Sequence, residues 1–258
     1  MFGQDEGNVV GFYDGFASEY GLVYGGNWER AIERQGAALD GLIREAVPGA
    51  NEVLDCSCGI GTQAIGLARL GYHVCGTDVS EQQLARARHE AERLGVSVSF
   101  ALADFRDLSG IEREFDVVIS CDNAVPHLLD EGDVPKALTQ MRTKLRPGGL
   151  LIVTMRDFDA ALVERPPLAP PIMLAGSPRR VLVRLHDWDA DRPCYTVRYL
   201  VLTDDVEGWT ITEHTTRYRA ITRDELTRAA RVAGFSDISF PPERTVVGAQ
   251  QVMTAISP

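Results

Sequence analysis

Residues 55–61 read DCSCGIG, and two further aspartates follow, Asp78 in GTD and Asp104 in ADF. Gly59 and Gly61, with Ala64, form a G-x-G-x-x-A pattern. Glycine at such positions lets the chain turn tightly and lets a ligand approach the backbone. The glycines alone suit a dinucleotide as well as other nucleosides. Asp55 separates these choices. A carboxylate at the end of a strand, just before the glycines, repels a pyrophosphate but attracts an ammonium or sulfonium group. Asp78 stands where a carboxylate can accept hydrogen bonds from both hydroxyls of a ribose. Asp104 can receive an adenine amino group, and Phe105 can pack on the ring. Taken singly, a strand-end aspartate is also a helix cap and a glycine pair is also only a turn. Taken together and in this order, they predict a site for a cationic nucleoside.

The elements that must hold these residues follow from hydrophobic periodicity. Residues 52–54, 73–76, 98–101 and 115–120 read as strands, the last with a continuous apolar run suited to burial on both faces. Residues 62–70 read as a helix closed by Gly71. Ser80 with Gln83 is a capping box that opens the next helix, whose apolar stripe is Leu84, Ala87, Ala91 and Leu94. Val134, Leu138, Met141 and Leu145 line a further helix. Pro147-Gly148-Gly149 is expected to turn the chain into a strand over residues 150–154. This alternation predicts an α/β core with a mostly parallel sheet covered by helices on both faces. The rhythm then changes. Residues 165–171 are proline-rich and expected as a loop, and residues 181–186, 195–203 and 209–219 as three strands without intervening helices. Thr222 and Glu225 open a helix ending at Gly234, and residues 246–256 form a last strand. The expected organisation is a helical lid over residues 1–50, a ligand-binding core over 51–156, an antiparallel insertion over 157–220, and a helix and strand completing the core over 221–258.

With these elements in place, residues 51–154 resemble the class I S-adenosylmethionine-dependent methyltransferases. The resemblance implies a Rossmann-like, seven-stranded sheet and S-adenosylmethionine as cofactor. It implies that residues 55–61, including Ser57, hold the methionyl part, that Asp78 and Val79 hold the ribose, and that Asp104 and Phe105 hold the adenine. The segment SCDNAVPHL, residues 120–128, is similar to the C-x-x-N-x-x-x-H-L pattern of glycine and sarcosine N-methyltransferases. By that likeness Asn123 faces the substrate, and Cys121 and His127 lie near the methionyl group. Arg156-Asp157-Phe158-Asp159 resembles the R-[ND]-Y-D stretch of the same subgroup, in which the arginine holds a substrate carboxylate. FYDGFASEYG, residues 12–21, resembles the lid of small-molecule methyltransferases. Tyr13, Tyr20 and Tyr24 are then expected over the cofactor, with Tyr24 also toward substrate, and Arg30 or Arg34 at the cofactor carboxylate. Asp122 and Pro126 depart from the subgroup, which favours small or apolar residues there. The carboxylate of Asp122 repels a substrate acid or attracts a substrate amine, and it or His127 is available as a base for a hydroxyl.

The expected activity is methylation of a small molecule, leaning to the nitrogen of an amine or amino acid. O- or C-methylation in specialised metabolism is the alternative within the class, and a non-catalytic S-adenosylmethionine-binding protein the alternative outside it. A formal net charge of -11 over 258 residues argues against nucleic acid as partner. His73, His186 and His214 lack metal-ligand spacing, so no metal is expected. No stretch has the ~18 apolar residues of a membrane span, and the first residues, MFGQDEGNVV, lack a signal-peptide pattern. The five cysteines show no zinc spacing and are read as reduced residues of a cytoplasmic protein. Self-association into a homo-oligomer is compatible with this reading.

Overall fold

The structure is a computed structural model and describes residues 8–174, 176–241 and 250–258. Its core alternates strands and helices: β1 (Glu52–Asp55), α3 (Thr62–Arg69), β2 (His73–Asp78), α4 (Glu81–Arg93), β3 (Ser99–Leu102), β4 (Phe115–Ser120), α5 (Asp133–Thr143) and β5 (Leu145–Arg156). Two helices precede it, α1 (Val9–Phe16) and α2 (Trp28–Ala46), joined through a 3-10 turn at Tyr20–Tyr24. After β5 come α6 (Phe158–Glu164), β6 (Leu168–Leu174), β7 (Arg179–Trp188), β8 (Cys194–Asp205), β9 (Gly208–Arg219), α7 (Arg223–Val232), β10 (Ser236–Ser239) and β11 (Gln250–Ile256).

Seven strands form one sheet in the order β10-β11-β5-β4-β1-β2-β3. β3, β2, β1, β4 and β5 run parallel, whereas β11 lies antiparallel to β5 and β10 antiparallel to β11. The chain order reverses between β1 and β4, which opens a crevice at the carboxyl ends of these strands. β4 and the second half of β5 are buried on both faces, as their unbroken apolar runs require. Ser80 caps α4 by accepting from the Gln83 amide, and Thr222 caps α7 by accepting from the Glu225 amide. α2 and α3 cross with their backbones almost touching. A Cβ on Gly66 would lie 2.6 Å from the Ile32 carbonyl oxygen, so only glycine permits this approach. Among the described residues no helix is long and apolar enough to cross a membrane.

The second sheet is antiparallel, in the order β6-β7-β8-β9. It has four strands where the sequence pattern suggests three. Residues 165–171, expected as a loop, run into β6 from Leu168 onward. Prolines are tolerated there because β6 is an edge strand with an irregular register between Ala169 and Ile172, so their missing donors break no ladder. Pro147-Gly148-Gly149 lies within β5 rather than before it. The residues bulge out between the Phe115–Leu145 and Val117–Leu150 pairs, and Gly148 and Gly149 bond to Ser257 instead. β10 has no expected counterpart, since four residues with alternating burial leave too short a pattern to stand out. The last expected strand begins in the described residues at Gln250, and its first part, residues 246–249, lies outside them.

The antiparallel sheet roofs the crevice. Alternate residues of β8, namely Tyr195, Val197, Tyr199 and Val201, are buried on its inner face. The lid helix α1 wedges against that face. Phe12 packs 5.4 Å from the Tyr199 ring and Phe16 packs 4.6 Å from the His214 ring, centroid to centroid. On its other side α1 is tied to α4: the Ser80 hydroxyl donates to Asp14 at 2.5 Å, and the Gln83 amide donates to the Tyr13 carbonyl at 3.1 Å.

Candidate active site

A cavity of about 450 Å³ lies at the carboxyl ends of β1, β2 and β4, covered by α1 and the Tyr20–Tyr24 turn. That size suits a ligand of nucleoside dimensions. Its floor is the loop after β1. Ser57 and Gly59 line the cavity, while Gly61 stands just behind as the N-terminal cap of α3 with a φ of +87°. A Cβ there would meet Ile65 Cδ1 at 3.0 Å, which explains the glycine in both backbone and space.

Asp55 does not line the cavity. It lies fully buried beneath the loop, where one carboxylate oxygen accepts from the Ser57 amide at 3.3 Å and the other has no partner. Burial pushes its carboxyl up to about 8, against the opposing pull of the Ser57 amide. Asp78 and Val79 line the cavity beside the glycines. The two oxygens of Asp78 accept from the Gly59 amide at 2.9 Å and the Ser80 amide at 3.0 Å, which locks the β2 end against the β1 loop. Each oxygen keeps a second lone pair. Burial raises this carboxyl too, partly offset by those amides.

Asp104, Phe105 and Arg106 form the far wall. Asp104 is held in a two-pronged fork by Arg106, with Nη2 to Oδ2 at 2.6 Å, and Arg106 also reaches Asp133 at 2.8 Å. Partial burial pushes the Asp104 carboxyl up, but the fork outweighs it and holds it below the ordinary range. Arg106, next but one in sequence, has no place in the expected site. Its signal is only an arginine two residues from a strand-end carboxylate.

The opposite end is built by residues after β4. Cys121, Asp122 and His127 line the cavity with Tyr13, Tyr20 and Tyr24 from the lid. Asp122 and Asn123 both take left-handed backbone angles, with φ of 57° and 71°. Non-glycine residues rarely do so, and consecutive pairs of this kind concentrate at functional sites. Asp122 accepts from the Tyr24 hydroxyl at 2.6 Å and from Gln63 at 2.8 Å, and Gln63 in turn also donates to Gln35 at 2.5 Å. Burial raises the Asp122 carboxyl, partly offset by these donors. Gln63 and Gln35 were not among the expected site residues. Their signal is a glutamine on an otherwise apolar helix face, repeated on α2 and α3. His127 is buried. Its Nε2 meets the Tyr13 hydroxyl at 2.8 Å and its Nδ1 meets the Thr216 hydroxyl at 3.4 Å. Burial pulls the imidazole down to about 3, so it is neutral at ordinary pH.

Four more expected residues stand elsewhere. Arg34, with Arg30, is on the exposed side of α2. The buried side carries Ala31, Ile32, Gln35, Gly36 and Leu39, and the helical period turns 30 and 34 outward, which corrects their expected place at the cofactor. Asn123 and Arg156 do not line the cavity. The side-chain Oδ1 of Asn123 accepts from the Arg156 backbone amide at 3.1 Å, bracing the end of β5. The Arg156 guanidinium lies beneath the roof, donating to the Tyr195 hydroxyl at 3.2 Å. Asp157 and Asp159 face Arg223 instead, at 3.8 Å and 3.7 Å.

Among the described residues Asp55, Asp78 and Asp122 have no cationic partner, although Asp78 and Asp122 line one cavity and Asp55 lies just beneath its floor. Such a site fits a ligand with positive charge at one end, and a pyrophosphate would meet the Asp78 carboxylate at the glycine loop. The unpartnered Asp55 oxygen and the glycine cradle are the two features that accommodate S-adenosylmethionine.

Residues 53–149 match the family model described as a methyltransferase domain. A glycine/sarcosine N-methyltransferase of Parasynechococcus marenigrum is 34% identical over 156 residues, which cover 58% of this chain and 55% of that protein. The chain spans about half the length of the curated relatives it matches first. In fold it is similar to an S-adenosylmethionine-dependent methyltransferase from Clostridium acetobutylicum, with a TM-score of 0.76 at 15% identity over 95% of this chain and 98% of that one. It is also similar to an amino pentose methyltransferase from Micromonospora echinaspora with S-adenosylmethionine bound, with a TM-score of 0.75 at 20% identity over 93% and 96%. Residues 53–149 therefore carry a methyltransferase domain, within a chain that has the fold of S-adenosylmethionine-dependent methyltransferases.

Proposed function

We propose that the protein methylates the nitrogen of a small-molecule amine. The observation that carries this reading is Asp122: a half-buried carboxylate on the cavity, fixed by Tyr24 and Gln63, with no cationic partner among the described residues. Such a carboxylate attracts and orients an amine. The name of the relatives, glycine/sarcosine N-methyltransferase, points to the same chemistry.

Bound S-adenosylmethionine supplies an activated methyl group whose transfer leaves a neutral thioether. In this reading the loop of Ser57 and Gly59, with Asp55 behind it, holds the methionyl end, Asp78 and Val79 the ribose, and Asp104 and Phe105 the adenine. Tyr13 and Tyr20 close the lid and exclude water, and Cys121 and His127 wall the methyl-transfer end. Asn123 positions Arg156. An amine needs only to arrive neutral and in line, so orientation is the protein's main task. His127, pulled down by burial, is a weak base for a hydroxyl, which leaves Asp122 as the proton acceptor on the cavity. Asp122, raised by burial, can take the proton released by the methylated ammonium. The five cysteines are buried and free, which supports a reducing, cytoplasmic setting.

The test is competition between matched acceptors. Primary and secondary amines should yield S-adenosylhomocysteine, and alcohols of the same skeleton should not. Asp122→Asn should raise the KM for the amine at least tenfold. Turnover of the alcohols at comparable rates would sink the nitrogen assignment.

A further inference from the structure

Under the roof lies a cluster of cations that the methyl-transfer end does not use. The Arg156 guanidinium donates from Nη1 to the Tyr195 hydroxyl and sits 5.9 Å over the Tyr218 ring. Arg184, on β7, pairs in register with Tyr199, so it shares the inner face of the roof with Tyr195 and Tyr199. It donates from Nη2 to the Pro170 carbonyl at 3.3 Å, and its buried Nε has no partner. His186 is two residues along the same face, 5.4 Å from the Tyr195 ring and only 8% exposed. Its Nδ1 meets the Pro166 carbonyl at 3.0 Å, which places the proton on Nδ1 and leaves Nε2 a buried acceptor without a partner.

Among the described residues neither guanidinium meets a carboxylate. Other arginines of this chain show the usual solution. Arg219, which is more deeply buried, pairs with Glu225, and Arg106 pairs with Asp104 and Asp133. A half-buried cation without a partner is unfavourable, and a second one near it adds to the cost. Burial and then the neighbouring Arg156 pull the Arg184 guanidinium below its ordinary value, as expected of like charges held together. One face of the Tyr218 ring is shared with the methyl-transfer end, since His127 lies 4.3 Å from its centroid.

We propose that Arg156 and Arg184, walled by the His186 ring, form a subsite for a doubly charged anionic group of the methyl acceptor. A single carboxylate on Arg156 would leave the second guanidinium charge uncompensated, whereas a phosphoryl group or paired carboxylates neutralise both. The acceptor then spans one tyrosine ring, with its nucleophile beside His127 and its anion under the roof. The inference rests on the proposed function, and it makes charge at the far end of the acceptor the feature that selects it.

The test uses the full chain saturated with S-adenosylhomocysteine, titrated at constant ionic strength with acetate, malonate and inorganic phosphate. Malonate or phosphate should bind at least tenfold more tightly than acetate. Arg184→Gln should bring that ratio to within about twofold, and Arg156→Gln should abolish binding of all three. A higher affinity for phosphate than malonate identifies the phosphoryl arm, and the reverse identifies the dicarboxylate arm. Equal binding of acetate and the dianions, or an unchanged ratio in Arg184→Gln, overturns the proposal. Arg184→Lys keeps the charge without the fork and should retain part of the ratio if the glutamine variant fails to fold. Retained binding of S-adenosylhomocysteine with no dianion binding refutes this subsite alone. Loss of S-adenosylhomocysteine binding in the unaltered chain refutes the cofactor reading instead.

Discussion

Acidifying a cofactor titration should expose Asp55. Its carboxyl is buried beneath the glycine loop with a single 3.3 Å amide contact and is pushed up to about 8, so at pH 7 it is mostly protonated in the free protein. A cation bound above the loop favours the ionised form. Binding therefore lowers its pKa and releases a proton, and affinity rises with pH until it levels off above 8. If the complex returns the carboxyl to its ordinary value near 4, affinity changes by roughly 80-fold between pH 5 and 7, or ~1.4 kcal/mol per pH unit over most of that interval. Below pH 7 the amino group of S-adenosylmethionine stays protonated, so it adds little to the slope. Isothermal titration at several pH values, in buffers of different ionisation enthalpy, measures both the affinity and the proton released. Asp55→Asn should flatten most of the dependence, leaving the smaller share of Asp78 and Asp122. A flat profile for the unaltered chain, or an undiminished slope in Asp55→Asn, refutes the reasoning. The stability of the unliganded protein should move the opposite way. The contribution of a neutral Asp55 is complete below its unfolded value and is lost as pH rises through about 8, so thermal melts should fall over that interval.

Asp78→Asn should weaken S-adenosylhomocysteine binding at least tenfold in the same calorimeter, while free adenine binding changes little. Tyr24→Phe removes the 2.6 Å donor to Asp122 and should raise the amine KM several-fold with a smaller change in kcat. Because burial holds His127 near 3, the pH profile of kcat should show no ionisation near the ordinary histidine value. Gly66→Ala forces a methyl against the Ile32 carbonyl and should cost about 2 kcal/mol, read as a lower Tm with the cofactor-binding residues untouched.

Much of this arrangement is legible in the chain itself. β4 announces itself by six residues with no polar interruption of its apolar face, and the caps at Ser80 and Thr222 lie where the capping boxes put them. The convergence of Asp78, Asp104 and Asp122 follows from strand order, because residues at the carboxyl ends of neighbouring parallel strands must meet. Other features depend on packing that no local pattern carries. Pro170 and Pro171 read as a loop until the edge position of β6 is known. Arg34 and Gln35 are neighbours in sequence, but the docking of α2 on α3 sends one to solvent and the other to the buried network around Asp122. Arg184 and His186 become a pair with Arg156 only when the second sheet folds over the first. The proposed acceptor subsite is thus the least legible part, being assembled from β5, β7 and β8.

The most direct measurement is mass spectrometry of amine acceptors incubated with the protein and S-adenosylmethionine bearing a deuterated methyl group. The account predicts acceptors that gain the labelled methyl on nitrogen, in step with S-adenosylhomocysteine, and a strong loss of that gain in Asp122→Asn. Label appearing on oxygen or carbon while the matched amines stay unlabelled would contradict it.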